Sequence, residues 1–240
     1  MVTDYEAHSK ALSEILKLAE PPLAITFTAE APQGVPAFDE PMPEPTADGR
    51  TGRVPAGCAF WAHGTRRTFA TAPEDHGNCN VGSLTHGLRT LEQAAQGEDV
   101  AALVEAGWVT PDMFPAIPTV AERPGAITYG PLSETTFDPD VVFLRLNAKQ
   151  AMMLHAALPD LRFEGKPQCH IVPIAKEQGQ VAISVGCMLS RVRTGMAISE
   201  LTCAIPAARL PEVVNALVAV QEADDAVGRY AAEDKRRFGA

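Results

Sequence analysis

The chain reads as a mixed β-sheet flanked by helices, of the α/β or α+β class. Short apolar runs of strand type and amphipathic helical stripes intermix along it without a strict βαβ alternation. No Gly-x-Gly-x-x-Gly, phosphate loop or Gly-x-Ser-x-Gly interrupts that pattern, which removes the common nucleotide-binding and hydrolase frameworks. With 240 residues and 46% hydrophobic content, the chain can bury a large core, and a single compact domain over 1–240 is expected.

The elements follow in order. Ala7, Ala11, Leu12, Ile15, Leu16 and Ala19 form one helical stripe over residues 6–19, stopped by Pro21-Pro22. Leu23 to Thr28 reads as a buried strand. Residues 31–55 carry six prolines and form a long irregular connection; loops of that length usually cover a site or are disordered. Thr68 to Ala72 is a second strand, followed by helices over Val81–Ala95 and Glu98–Ala106. Strands are expected at Ala126–Tyr129 and Val141–Leu146, with Pro131 and Asp138-Pro139 in the turns. Asn147 is a good N-cap for a helix to about Leu158. A short helix or turn follows from Cys169 to Lys176, then strands at Val181–Val185 and Ala197–Ile205. A helix over Pro206–Val220 presents Leu210, Val213, Val214, Leu217 and Val218 on one face. The C-terminal tail beyond Glu222 is expected to be helical and exposed.

The net charge of −10 argues against a nucleic-acid partner, which needs a concentrated basic face. No run approaches the roughly 18 apolar residues that span a bilayer, and the polar start (Met1-Val2-Thr3-Asp4) shows no signal peptide. A cytoplasmic protein without a membrane partner is expected. In that reducing setting five cysteines read poorly as a disulfide framework.

Four of those cysteines lie in segments that read as turns. They are Cys58 in Pro55-Ala56-Gly57-Cys58, Cys79 in Asp75-His76-Gly77-Asn78-Cys79, Cys169 in Lys166-Pro167-Gln168-Cys169-His170, and Cys187 in Val185-Gly186-Cys187. A packing cysteine usually lies inside an apolar run, as Cys203 does. Thiols on turns can converge from separate elements on one metal or iron–sulfur cluster. No Cys-x-x-Cys pair is present, so the zinc-ribbon and ferredoxin spacings are missing. Glu74 to Gly82 is the densest segment in functional residue types. Cys79 stands there at a predicted helix N-terminus, where backbone amides should make it more thiolate-like. The alternative is an Asp75 or Asn78 cap beside a buried small residue.

His76 and His170 stand next to turn cysteines and suit ligand, proton-donor or hydrogen-bonding roles. His63 and His86 are further pocket candidates. Arg191, four residues after Cys187, suits an anion holder or a salt bridge to Glu200. A cysteine nucleophile with His76 or His170 as base needs no metal and stays open.

Several segments resemble a family of archaeal and bacterial proteins with many anaerobic members, number 169 among the domains of unknown function. They include Pro21-Pro22-Leu23-Ala24-Ile25-Thr26-Phe27, Gly57-Cys58-Ala59-Phe60-Trp61, Glu74-Asp75-His76-Gly77-Asn78-Cys79 and Ser184-Val185-Gly186-Cys187. Family members are similar in carrying cysteine at the four turn positions. Many have a further cysteine soon after the last, where this chain has Met188-Leu189-Ser190. The resemblance supports a site and names no reaction.

The resulting expectation is that Cys58, Cys79, Cys169 and Cys187 hold an iron–sulfur cluster, most simply 4Fe–4S, as cofactor and metal ligands. His76 serves as proton donor and Arg191 as anion holder in redox or Lewis-acid chemistry on a small polar molecule. The rivals are a non-enzymatic module for a metal or haem-like cofactor and the metal-free cysteine enzyme. The loop 31–55 is expected to pack over the cysteine pocket or across a partner subunit of a homo-oligomer.

Overall fold

A computed structural model describes residues 4–39, 57–77, 79–164, 167–194 and 196–238. The first helix, α1 (Tyr5–Leu16), opens on Asp4, whose carboxylate accepts the Ala7 N–H at 2.9 Å. It closes at Lys17 in the left-handed region, before Pro21-Pro22 can continue it. Strand β1 (Leu23–Thr28) follows as expected, and after it come α2 (Gly57–Gly64) and β2 (Phe69–Thr71).

The helix expected over Val81–Ala95 is instead two helices, α3 (Asn80–Thr85) and α4 (Leu91–Ala95). Gly87 explains the break. It has φ +73, and a Cβ there would meet the Val120 carbonyl at 2.8 Å, so only glycine turns the chain here. Thr90 and Gln93 then restart the helix with a capping box. The chain continues through α5 (Glu98–Glu105), β3 (Ala126–Pro131), β4 (Val141–Leu146) and α6 (Ala148–Ala157). Asn147 caps α6 reciprocally with Gln150, and Gln150 Nε2 also donates to the carbonyls of Leu16 and Lys17. One side chain thus closes the start of α6 and the end of α1.

The last elements are β5 (Arg162–Glu164), α7 (Ile171–Gln178), β6 (Ala182–Ser184), α8 (Met188–Arg193), β7 (Leu201–Pro206) and α9 (Leu210–Phe238). The strand expected from Ala197 begins only at Leu201, and the helix and tail expected separately are one helix of 29 residues. The sequence reading did not find α2, β5 and α8. Among the described residues seven strands form one sheet, in the order β2-β3-β1-β4-β7-β6-β5, antiparallel except for the parallel β5–β6 pair. This mixed sheet with its helices is an α+β fold.

Strand alternation builds a core on each face. Ala24, Val142, Leu144, Ile183, Cys203 and Ile205 point toward α1, α6 and α9. Leu23, Ile25, Tyr129, Val141, Phe143, Ala182 and Ala204 point the other way, toward α2, α3, α5 and α7. Cys203 is therefore core filling on the face away from the other four cysteines. Of the proline-rich connection, residues 40–55 lie outside the described residues. Its first part runs along the sheet edge, where Phe38 N–H donates to the Ala70 carbonyl and Ala70 N–H to the Pro36 carbonyl. Phe38 also packs edge-on against Phe60.

Candidate functional site

Each of the four turn cysteines stands at the start of a helix on one face of the sheet. Cys58 is the second residue of α2, and Cys79 is the N-cap of α3. Cys169 lies in the 3-10 turn Gln168–His170 that leads into α7, and Cys187 is the N-cap of α8. The parallel β5–β6 pair explains half of the convergence. Glu164 pairs with Ser184, so the segments leaving both strands at their carboxyl ends, which carry Cys169 and Cys187, emerge side by side. In open sheets this is where ligand crevices form. Helix α3 packs against both α2 and the Gln168–His170 turn and brings Cys79 and Cys58 to the same place.

All four cysteines line one chamber with a cavity volume of about 50 Å³. Its other walls are mostly apolar: Val81, Leu103, Trp108, Val109, Phe114 and Leu189. His86, Gln168, His170 and Ser190 add the polar groups. None of the five cysteines is disulfide-bonded.

Burial dominates the ionisation of the thiols. It raises the Cys79 pKa well above the usual range, neighbouring Cys169 and Cys58 raise it further, and the Gly82 N–H at 3.3 Å offsets only part. The expectation of a thiolate-like Cys79 is therefore corrected: loss of hydration outweighs the helix-end amides. Burial pushes Cys169 up to about 12 despite the Thr85 hydroxyl that favours its charged form. Cys58 is raised for the same reason, opposed by Ser190. These are thiols that need a cation in the chamber to become thiolates at neutral pH.

His86 is fully buried, and its Nδ1 lies 2.8 Å from the Gly82 carbonyl and 3.1 Å from Thr85 Oγ1. A carbonyl can only accept, so Nδ1 carries the proton and Nε2 the lone pair; that Nε2 is buried without a partner. Burial lowers the His86 pKa to about 4, so the ring is neutral at physiological pH. His170 is also buried, with its Nδ1 3.8 Å from Glu164 and its Nε2 likewise unpartnered.

The two residues expected to do chemistry sit elsewhere. His76 does not line the chamber; it packs behind it, 6.0 Å from the His86 ring between centroids and 2.9 Å from Thr71 Oγ1. Its pKa is lowered well below the usual value by burial and by His86. Arg191 also stands off the chamber, and its guanidinium donates to the carbonyls of Val185 (2.9 Å), Glu200 (3.1 Å) and Ala197. A Cβ at Gly186, which has φ +110, would lie 2.7 Å from Arg191 Nη2. Arg191 thus ties down the loop that presents Cys187. Glu200, the salt-bridge partner expected for it, instead takes a two-pronged bond from Arg145, at 2.7 and 2.8 Å. His63 belongs to the aromatic cluster around Phe38.

Asp75 accepts the Ala72 N–H at 2.8 Å and so caps its own turn, while Asn78 lies outside the described residues. Asp99, unmarked in the sequence, holds the start of α3 by accepting from Asn80 N–H at 3.0 Å and Asn80 Nδ2 at 2.6 Å. Asp99 has no spacing signal that would have singled it out, whereas His86 joins the chamber as the sequence allowed.

A tetrahedral thiolate site with bonds of about 2.3 Å needs sulfurs only about 3.8 Å apart. Among the described residues, no group of three or more His, Cys, Asp or Glu side chains is arranged to hold a single metal ion. The donor set is nevertheless soft and gathered around one mostly apolar space, with Cys169 buried and Cys58, Cys79 and Cys187 half-buried. Soft thiol donors of this type are those that iron–sulfur clusters and soft metals take. Among the described residues, no helix is long and apolar enough to cross a membrane.

Fold and site together define an α+β protein with a four-cysteine chamber on one face of a mixed sheet. A family model described as "Uncharacterised ArCR", number 169 among the domains of unknown function, matches residues 11–216. The chain belongs to that family, and the match takes in all seven strands and all four chamber cysteines. No curated protein and no solved structure matches it.

Proposed function

We propose that this is an iron–sulfur protein in which at least three of Cys58, Cys79, Cys169 and Cys187 bind a cluster, most simply of the 4Fe–4S type. The observation that carries the reading is the convergence of four helix-start cysteines on one mostly apolar chamber. Such a group would supply electron transfer or an electrophilic iron. The chain's own part is to provide soft ligands, exclude water and present a few polar atoms. We assign redox or Lewis-acid chemistry on a small molecule that enters beside the cluster and meets Gln168 and His170. Neither His76 nor Arg191 lines that space, so their roles in this proposal are structural support behind His86 and bracing of the Cys187 loop. Reduced thiols suit a cytoplasmic setting.

A second reading is a non-enzymatic carrier of a haem-like group, favoured by the apolar walls around Trp108 and Phe114. The metal-free cysteine enzyme has less support, because burial raises the thiol pKa values that such chemistry needs lowered.

Anaerobic purification, or reconstitution with iron and sulfide, tests the proposal. Broad visible absorption with equal amounts of iron and acid-labile sulfide is expected. Serine variants at three or more of the four positions should lose it, and Cys203→Ser should keep it. Protein that stays colourless and iron-free after reconstitution overturns the cluster; if it takes up haem instead, the carrier reading stands.

A further inference from the structure

Buried polar atoms without partners are costly, about 1–3 kcal/mol each, and most proteins avoid them. Three such atoms, His86 Nε2, His170 Nε2 and Gln168 Oε1, belong to residues that line the chamber. The His86 nitrogen is the best defined. Its ring is held from behind, Nδ1–H to the Gly82 carbonyl at 2.8 Å, one helical turn back on α3. That bond fixes the tautomer and turns Nε2 away from its own helix. It is also the usual arrangement of a metal-bound histidine, whose second nitrogen donates to a carbonyl or carboxylate.

The neighbours of His86 strengthen the case. Helix α3 carries Cys79 at its start and His86 at its end, and both residues line the chamber. Thr85, next to His86, bonds the Cys169 thiol. A six-residue helix whose start Asp99 and Asn80 lock thus carries both a chamber thiol and the His86 ring. His76 has an unpartnered nitrogen as well, but it lies behind His86 and does not line the chamber.

We propose that His86 is a direct iron ligand in this chamber, giving a mixed centre of at least three thiolates and one imidazole Nε2. The inference rests on the iron–sulfur reading above and adds to it a residue and a ligand type. A neutral imidazole in place of an anionic thiolate leaves the centre less negative and raises its reduction potential, as histidine ligation does in other iron–sulfur proteins.

The test uses the full-length protein reconstituted with iron and sulfide, labelled with ¹⁵N-histidine, reduced and examined by pulsed electron paramagnetic resonance. A strongly coupled histidine nitrogen is expected in the parent protein. It should vanish in His86→Gln and persist in His170→Gln and His76→Gln. His86→Cys should restore full cluster content with a lower midpoint potential than the parent. The parent spectrum alone is informative even if a variant folds poorly. A cluster without a coupled nitrogen, or with one that is lost only in His170→Gln, overturns the His86 assignment and leaves the iron–sulfur reading intact. Protein that takes up no iron overturns both.

Discussion

The raised pKa of Cys169 makes the metal-free protein unusual in a measurable way. With a pKa of about 12, about one molecule in 10⁴ carries the thiolate at pH 8, against about a quarter of an unperturbed cysteine with pKa near 8.5. Alkylation proceeds through the thiolate, so folded metal-free protein should modify Cys169 about 2,000-fold more slowly than a peptide thiol. The rate should climb about tenfold per pH unit toward pH 12. The perturbation is a pH series from 7 to 10 on cluster-free protein, with brief iodoacetamide exposure and peptide mass spectrometry to read each cysteine. The same shift bears on stability. Folding favours the protonated thiol, so its contribution is fully present below about pH 8.5 and is lost as pH rises toward the folded value. Each such thiol then removes up to about 1.4 kcal/mol per pH unit. Cys58 and Cys79, also raised, act in the same direction. Urea midpoints should therefore fall between pH 8.5 and 10, and less so in Cys169→Ala. Cys169 alkylation within tenfold of the peptide rate at pH 8 would refute the argument that burial outweighs the helix-end amides.

Three further outcomes follow from the packing. Asp99→Ala leaves the Asn80 N–H and Nδ2 without their acceptor in a buried site and should cost about 3 kcal/mol, a melting temperature lower by about 6–12 °C by calorimetry. Gly64→Ala places a Cβ 2.5 Å from Leu23 Cδ1 and 2.9 Å from Tyr129 Cβ, so overpacking should cost about 1–3 kcal/mol by urea unfolding. Glu200→Ala strands the partly buried Arg145 and should cost about 1–3 kcal/mol, whereas Arg145→Met with Glu200→Leu should come close to the parent's stability in the same assay.

Much of the fold was legible because its signals are short-range. Leu23–Thr28 and Val141–Leu146 announce themselves by short, largely apolar runs, and Asn147 by its capping chemistry with Gln150. The same reasoning failed where one residue overrides a stripe, as Gly87 does in splitting α3 from α4. It failed again where an element is too short to show a period, as with β5 at three residues. In the site, the cysteines stood out because glycine, proline and capping residues surround them. His86 was legible only as a pocket candidate, since its orientation comes from a carbonyl one turn back and its setting from neighbours on other elements.

By itself the sequence determined the class of fold, most of its strands and helices, and four cysteines set apart from the core at places where the chain turns. It also determined the chemistry on offer there, soft sulfur ligands in a chain with five cysteines and no paired spacing. Only the tertiary structure decided that the four face one chamber, that His86 joins them while His76 stands behind, and that Arg191 braces a loop. The physical reason is range. Caps, breaks and periodicity act over one or two turns, whereas convergence depends on which strands pair. The parallel register of Glu164 with Ser184 fixes where Cys169 and Cys187 emerge. The burial this creates sets the charge state of the thiols, and no local reading of residues 74–82 contains that information.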